Sequence, residues 1–222
     1  MEYPDYASQG ALEVAEGQAR TRYTEFEKTL TPEEKAKPYL TQKELKFRTA
    51  EMSRLAAMTD LQMKLDKYRQ ESKSKKPLAL ALEADRSDNS SKLGNHLTAV
   101  GEFKQNSHWQ AHHIVCAKHK SHAQARIALF MIGIGINDPH NGCWLPQKHK
   151  HAKGTKYPNA VGHAYIHTND YADLVRNRVV GVKKEGVAFS ALNSVRLVLH
   201  NSRNLPKDIL TEKGQEDLRS KV

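Results

Sequence analysis

The stretch Trp109-Gln110-Ala111-His112-His113-Ile114-Val115 places two histidines side by side in an otherwise apolar run. A second pair, His163-Ala-Tyr-Ile-His167, follows in the C-terminal half, and Asn141-Gly142 lies between the two pairs. The apolar residues around the first pair favour a strand, and this strand is the element around which the rest of the C-terminal half can be arranged. Together the four histidines predict a metal site.

The spacing of the histidines indicates separate roles. Adjacent residues of a strand point to opposite faces, so His112 and His113 suit two tasks, one as a metal ligand and the other as a base. His163 and His167 are four residues apart, which on a helix places both on one face. His112, His163 and His167 then make three neutral ligands, and the remaining coordination positions stay open to water and substrate, as in a catalytic site.

This chemistry suits a phosphodiester. Its hydrolysis needs an activated water and a means of stabilising charge on the phosphoryl oxygens, which an imidazole of near-neutral pKa and a divalent ion supply. The pattern therefore favours a metal-dependent nuclease. Asn141-Gly142 is also typical of a simple turn. Other histidines form pairs by chance, and we interpret them as surface or phosphate-contacting residues: His119 with His122, and His149 with His151.

Charge is distributed unevenly along the 222 residues, whose formal net charge is +10. Residues 1–100 carry 17 Lys/Arg and 16 Asp/Glu (17 − 16 = +1), whereas residues 101–222 carry 18 and 9 (18 − 9 = +9). Eleven of the twelve histidines also follow residue 100. A basic surface of this kind attracts polyanions such as nucleic acid, although a solubilising face is an alternative.

Composition excludes several classes of protein. Two cysteines, Cys116 and Cys143, provide neither a disulfide scaffold nor a four-thiolate zinc site. No segment approaches the roughly 18–20 apolar residues of a membrane span. The N-terminus lacks a basic region followed by an apolar run, so we expect no secretory signal and synthesis in the cytoplasm.

The N-terminal region is predicted to be helical. Residues 10–30 have a helical composition, Thr31-Pro32-Glu33-Glu34 is typical of a helix start, and Thr41 with Glu44 predicts a capping box. The next helix is expected to run to about Tyr68. Its apolar residues form one stripe, expected to be buried against the preceding helix as a hairpin: Leu45, Met52, Leu55, Met58, Leu61, Leu65 and Tyr68.

The later elements are mixed. We expect a strand over His112–Cys116, a helix over Ala123–Ile132, a short strand over Cys143–Leu145, a basic loop, and a helical pattern from His163 to Val179 followed by a last helix. This predicts an α+β chain with two parts. Residues 1–90 form a helical N-terminal region, and residues 91–222 form a second domain after a polar boundary near residue 90.

Residues from about 108 to 180 resemble the AHH family, a branch of the HNH/endonuclease VII superfamily with the ββα-metal fold. The matching blocks follow in order: Ala111-His112-His113-Ile114-Val115, Ala125-Arg126, Gly133-Ile134-Gly135-Ile136-Asn137-Asp138, Asn141-Gly142-Cys143-Trp144-Leu145-Pro146, and His163-Ala-Tyr-Ile-His167-Thr168 with Tyr171 and Val175.

The resemblance implies a role for each matched residue. His112 corresponds to the first metal ligand, His113 to the general base, and His163 and His167 to the ligands from the helix. Asn141 matches the Asn that fixes the loop carrying the base. Cys116 departs from the Pro found in many members. The long segment after Asn141 also contains His151, an alternative second ligand.

The resemblance also implies a biological setting. Such domains are often toxic modules of bacterial effectors, which a specialised secretion system exports into a target cell and which a cognate immunity protein neutralises. Residues 1–90 would then be an adaptor or delivery region that binds a secretion component or chaperone. The implied cofactor is one divalent ion, Mg, Zn or Mn.

We therefore expect an endonuclease that cuts DNA with little sequence preference, because phosphate contacts position a nuclease without specifying sequence. The basic residues predicted to contact the backbone are Arg126, Lys148, Lys150, Lys153, Lys156, Arg176 and Arg178. Three alternatives stay open: an RNase on the same scaffold, a non-catalytic zinc module that binds nucleic acid, and a restriction or phage endonuclease.

Overall fold

The computed structural model describes residues 11–86, 89–201 and 205–219. Three helices come first: α1 (Ala11–Lys28), the single-turn α2 (Pro32–Lys35) and the long α3 (Gln42–Ser74). The predicted capping box of Thr41 with Glu44 is confirmed, and Thr31 with Glu34 caps the predicted start of α2 in the same reciprocal way. The capping box that Ser121 and Gln124 also predicted does not form, because His122 takes the N-cap position there without a side-chain hydrogen bond. Among the described helices, none is long and apolar enough to cross a membrane.

The apolar stripe of α3 is buried only along its second half. Met58, Leu65 and Tyr68 are buried, but the side chains of Leu45 and Met52 are 49% and 67% exposed. The first half contacts α1 as the predicted hairpin, and the second half packs on a later helix, α5 (Asn89–Ala99). The prediction of one continuously buried stripe is therefore wrong for its first part.

Helix α4 (Pro77–Arg86) lies before the boundary predicted near residue 90 and nevertheless joins the main core. Its Leu80 and Ala84 are buried in one cluster with Ile114 and Leu145. Residues on both sides of position 90 therefore contribute to the same hydrophobic core.

The sheet is a two-stranded antiparallel hairpin, β1 (Trp109–His113) with β2 (Gly142–Pro146), in which His112 pairs with Cys143. Helix α6 (Ala123–Met131) lies between the strands in sequence, and Gly133 ends it with a positive φ of 76°. After β2 come α7 (Asn169–Val179), α8 (Glu185–His200) and α9 (Glu212–Arg219). The α+β class is confirmed, and β1, β2 and α7 form a ββα unit.

The side chain of Arg196, on α8, holds the start of β2 in place through hydrogen bonds. This side chain is 1% exposed and donates hydrogen bonds to the carbonyl oxygens of Pro139 and Gly142 at 2.8 and 2.7 Å. A buried guanidinium is tolerated when carbonyl oxygens satisfy its donors. The turn before β2, which includes Asn141, is thus held from the α8 side.

Candidate metal centre

Three histidines from separate elements converge beside the hairpin. His112 lies on β1, His163 lies in the 3-10 turn His163–Tyr165, and His167 lies in the segment before α7. One ring nitrogen from each lies within 4.8 Å of the others. His112 is buried, His163 is intermediate and His167 is exposed, so the group is reached from solvent on one side.

His163 and His167 do not share a regular helix, contrary to the sequence prediction. Helix α7 begins only after Thr168, whose side chain caps it by accepting a hydrogen bond from the Tyr171 backbone N–H. The tighter 3-10 turn followed by an extended cap nevertheless brings the two rings together. The Nε2 atoms of His163 and His167 lie 3.3 Å apart.

Two side chains hold the rings of the candidate ligands. The Tyr171 hydroxyl lies 3.0 Å from His112 Nε2 and donates to the Ile114 carbonyl oxygen at 3.1 Å. His163 donates from Nδ1 to the Gln110 side-chain oxygen at 2.8 Å, which leaves its Nε2 with the lone pair that faces His167. Partners of this kind orient metal-binding imidazoles. Sequence reasoning assigned no role to Gln110 and none to the Tyr171 hydroxyl.

The three imidazoles are neutral near pH 7. Burial and the neighbouring histidines His163 and His167 hold the pKa of His112 well below its ordinary value. Burial, with smaller contributions from His167 and His113, lowers the pKa of His163 to about 4. The pKa of His167 is also lowered, chiefly by desolvation. Neutral imidazoles are the form that binds a metal.

The residues fit a divalent ion of the zinc type. Two imidazole nitrogens on a tetrahedral zinc, each about 2.0–2.1 Å from it, are separated by roughly 3.3–3.4 Å. The 3.3 Å between His163 and His167 matches that separation. Three nitrogen donors leave a fourth position open, as in catalytic sites.

His113 is oriented differently from its neighbour. The ring of His113 bonds through Nε2 to the Asn137 side-chain oxygen at 2.9 Å, whereas His112 bonds to Tyr171. Burial lowers the pKa of His113, and the Asn137 hydrogen bond opposes that shift. His113 is thus a neutral imidazole beside the triad and can accept a proton.

Asn141 fastens the loops around the first histidine pair. Its side-chain oxygen accepts from the Val115 N–H at 2.8 Å, and its amide nitrogen donates to the carbonyl oxygens of Val115 and Ile136. The residue is fully buried. This side chain therefore ties the end of β1 to the segment before β2.

Other histidines have structural surroundings. His151, the alternative ligand, stacks on His108 with ring centroids 4.3 Å apart and lies outside the triad. His149 and His122 are buried rather than on the surface, which corrects the interpretation from sequence. His149 accepts a hydrogen bond from the Gly162 N–H and so supports the turn that carries His163.

The predicted basic residues divide into two groups. Three of them have internal partners. Arg126 donates to the carbonyl oxygens of Cys116 and His119, Arg176 pairs with Asp173 at 2.9 Å, and Arg178 donates to the Leu174 carbonyl oxygen. The others in the loop after β2 are exposed to solvent: Lys148, Lys150, Lys153 and Lys156.

A groove of about 610 Å³ lies beside the triad. Gln110 and His163 line one side of it, and Asn95, Lys104 and Trp144 are among its other lining residues. Sequence reasoning did not single out Lys104, because one lysine in a polar segment gives no spacing signal.

Comparison with known proteins gives one match. Residues 93–196 match the model of the AHH family, described as a nuclease family of the HNH/ENDO VII superfamily with conserved AHH. No curated protein and no solved structure matches the chain. The matched segment covers both strands, the three histidines and most of α8, and it supports a nuclease function with nucleic acid as the substrate.

Proposed function

We propose, because residues 93–196 match a nuclease family, that the protein is a metal-dependent endonuclease that hydrolyses DNA. The observation that carries the proposal is the convergence of His112, His163 and His167 within 4.8 Å, with the neutral ring of His113 on the neighbouring position of the same strand. A structural zinc site has no need of that additional imidazole.

The residues of the proposed site divide into metal ligands, a general base and a supporting residue. His112, His163 and His167 would hold the divalent ion, which when bound supplies positive charge to the phosphate. His113 accepts the proton of the attacking water, whose oxygen bonds to phosphorus while the bond to the 3′ oxygen breaks. The leaving 3′ oxygen takes up a proton from a solvent water, so the products are a 5′-phosphate and a 3′-hydroxyl. Asn141 keeps the loops at both sides of His113 in place.

A nucleic-acid substrate is supported by the charge of the C-terminal half, and DNA is the one we propose. The net charge of residues 101–222 is +9, and exposed lysines such as Lys148 and Lys150 follow β2. Contacts of lysine with phosphate oxygens carry no sequence information, so we propose weak sequence preference. Mg, Mn and Zn are the ions to test. Imidazole ligands favour zinc and other late transition metals among them.

The test uses supercoiled plasmid with the purified full chain, supplied with Mg, Mn, Zn or EDTA. We expect cleavage that EDTA stops. His113→Ala should retain fold and metal but lose activity on the order of a hundredfold or more. The matched control His151→Ala removes a histidine outside the triad and should cut within about threefold of the parent.

The other outcomes distinguish the alternatives. Cleavage of RNA but not of plasmid would make the protein an RNase. Metal binding without cleavage of either substrate would favour a structural zinc module. Full activity of His113→Ala would overturn the assignment of the base, and loss of metal in His151→Ala would reopen the choice of ligands.

We also propose that the nuclease acts as an antibacterial effector, exported by a specialised secretion system and neutralised by a cognate immunity protein. The resemblance to toxin modules supports this setting, and residues 1–90 would bind a secretion component or chaperone. Induced expression in a bacterial host should stop growth and degrade its DNA, while His113→Ala should not. Growth unaffected by the active enzyme would overturn the toxin role and leave the nuclease activity standing.

A further inference from the structure

Helix α3 reaches the site from outside the family-matched segment, which begins at residue 93. The hydroxyl of Tyr68, in the second half of α3, accepts a hydrogen bond from the backbone N–H of Asn137 at 2.9 Å. Asn137 is the residue whose side chain bonds to His113. One residue therefore connects the N-terminal helix to the proposed base.

The backbone of Asn137 is held on both sides. The ring of His96 donates from Nδ1 to the Asn137 carbonyl oxygen at 2.8 Å, while Tyr68 accepts from its N–H. Asn137 is fully buried. With both backbone groups bonded, the two peptide planes that flank Asn137 have little freedom to rotate, and the direction of the side chain follows from them.

Neighbouring contacts fasten the same loop to α3. Arg69 pairs with Asp138 at 2.9 Å, and Asp138 in turn bonds to the ring of His140 at 2.8 Å. Gly135 permits the close approach, because a Cβ at that position would collide with the Tyr68 hydroxyl. The loop from residue 135 to 140 is thus shaped against two consecutive residues of α3.

The hydrogen bond between Asn137 and His113 has a chemical consequence. An amide oxygen only accepts, so His113 donates from Nε2 and carries its proton there. Its Nδ1 then holds the lone pair and is the nitrogen able to take a proton from water. An imidazole free to rotate or to change tautomer would offer that lone pair only part of the time.

We infer that the second half of α3 belongs to the catalytic apparatus: Tyr68 positions Asn137, and Asn137 holds His113 with its proton on Nε2 and its Nδ1 directed to the reacting water. This inference rests on the proposed role of His113 as base. Asn137 and Tyr68 are positioning residues, and they lie 69 positions apart in the sequence.

The test is a spectroscopic one on the full chain loaded with zinc. A ring proton bonded to a buried acceptor exchanges slowly with water, so proton–nitrogen NMR should show a His113 Nε2–H resonance, assigned by its loss in His113→Ala. Asn137→Ala should abolish the resonance. Asn137→Asp, which keeps an acceptor oxygen, should restore it.

Tyr68→Phe separates the role of α3 from the role of Asn137. Removing only the hydroxyl should speed exchange of the His113 ring proton. Tyr165→Phe is the matched control, since it removes a buried tyrosine's hydroxyl bonded to Asp217 on α9. We expect that control to leave the His113 resonance unchanged.

Activity gives the second readout. Asn137→Ala should lower kcat about 10- to 100-fold with KM nearly unchanged, as for partners that orient a catalytic group. Tyr68→Phe should lower kcat roughly threefold to tenfold.

Three results would overturn the inference. They are a ring proton on Nδ1, a resonance that survives Asn137→Ala, or a Tyr68→Phe variant that behaves like Tyr165→Phe. The NMR signal needs no substrate, so its presence in a protein that cuts neither DNA nor RNA would refute the proposed function and leave the positioning of His113 intact.

Discussion

The two halves of α3 carry one continuous stripe of apolar residues in different surroundings. In the first half, Leu45 and Met52 are about half to two-thirds exposed, at 49% and 67%. In the second half, Leu65 is 0% exposed and Tyr68 is 5% exposed. The stripe of apolar residues is therefore partly exposed in the first half of α3 and buried in the core in the second half. The spacing of apolar residues identifies the helix, but the element packed against it determines which of those residues are buried.

The first half of α3 and α1 form what we call the helical hairpin, residues 11–57. Contacts within it include Phe26 stacked on Phe47, with ring centroids 4.3 Å apart, and Arg22 paired with Glu51 at 2.7 Å. The second half of α3 packs instead with Ala99 and contacts the loop that holds His113 through Asn137. The helix thus links a peripheral region to the candidate site.

The largest expected effect on nuclease activity comes from a comparison of two N-terminal truncations. One ends at the predicted domain boundary near residue 90, and the other ends before α3, at residue 40. Removing residues 1–90 deletes Leu65, Tyr68 and Leu80, all of which are buried. We expect at least about a hundredfold loss of nuclease activity, because His113 loses its supports and the core loses side chains. Removing residues 1–40 takes away only part of the hairpin, and activity should stay within about threefold.

Circular dichroism and zinc binding of both truncated chains provide the controls for folding. If residues 91–222 alone cut DNA at the full-length rate, the boundary near residue 90 is also a functional one, and the contacts of α3 are dispensable. If removal of residues 1–40 already abolishes cleavage, the hairpin contributes to the site in a way that its own contacts do not indicate.

The elements of the fold were predictable where local chemistry determines them. Thr41 with Glu44 predicted the start of α3, because capping acts between near neighbours. The apolar residues around His112 predicted a strand over His112–Cys116, and the structure places it earlier, at Trp109–His113. The burial of Leu65 but not Met52 was not predictable, because it depends on α5, a helix whose position no spacing within α3 encodes.

The candidate site was likewise predictable in part from the sequence. His112, His163 and His167 were chosen from spacing, and the structure brings their ring nitrogens together. The route differs, however, since a 3-10 turn and a helix cap replace the predicted helical face. Asn137 and Tyr68 went unnoticed as a pair because a hydrogen bond between residues so distant in sequence leaves no periodic signal.

A smaller expected effect compares one buried and one exposed side chain of the stripe. Leu65→Ala opens a cavity in a fully buried position, so the free energy of unfolding should fall by about 2–5 kcal/mol. Met52→Ala removes a largely exposed side chain and should cost no more than about 0.5 kcal/mol. Urea denaturation monitored by circular dichroism measures both. Equal losses would mean that the hairpin face is covered in solution.

The response to acid should also differ between the two regions. The hairpin contains no histidine. In the C-terminal part, burial lowers the pKa of His200 to about 3, while its ring stacks on Tyr157 and bonds to the Trp144 carbonyl oxygen. Because the folded pKa lies below the unfolded one, the unfolded chain takes up the proton first, and stability is lost as pH falls below about 6.5.

The His200 ring alone should lower the free energy of unfolding by roughly 2 kcal/mol as the pH falls from about 6.5 to 5. Hydrogen exchange of the metal-free protein should show protection decreasing around α8 in that range, while the hairpin responds only near the pKa of carboxylates. In His200→Phe, which keeps a ring to stack on Tyr157, the slope of stability against pH should be shallower by about one proton. An unchanged slope would assign the acid sensitivity to other histidines.

The smallest expected effect concerns the start of α3. Thr41→Ala removes the side chain that caps the Glu44 N–H, so the first turns should fray at a cost of about 1 kcal/mol or less. Cleavage and the His113 ring resonance should both stay as in the parent, because the exposed first half separates the cap from Tyr68. Hydrogen exchange along α3, with the nuclease rate measured in parallel, tests this. A change at His113 would show that the helix transmits fraying over its whole length, and the hairpin would then be a control element of the site.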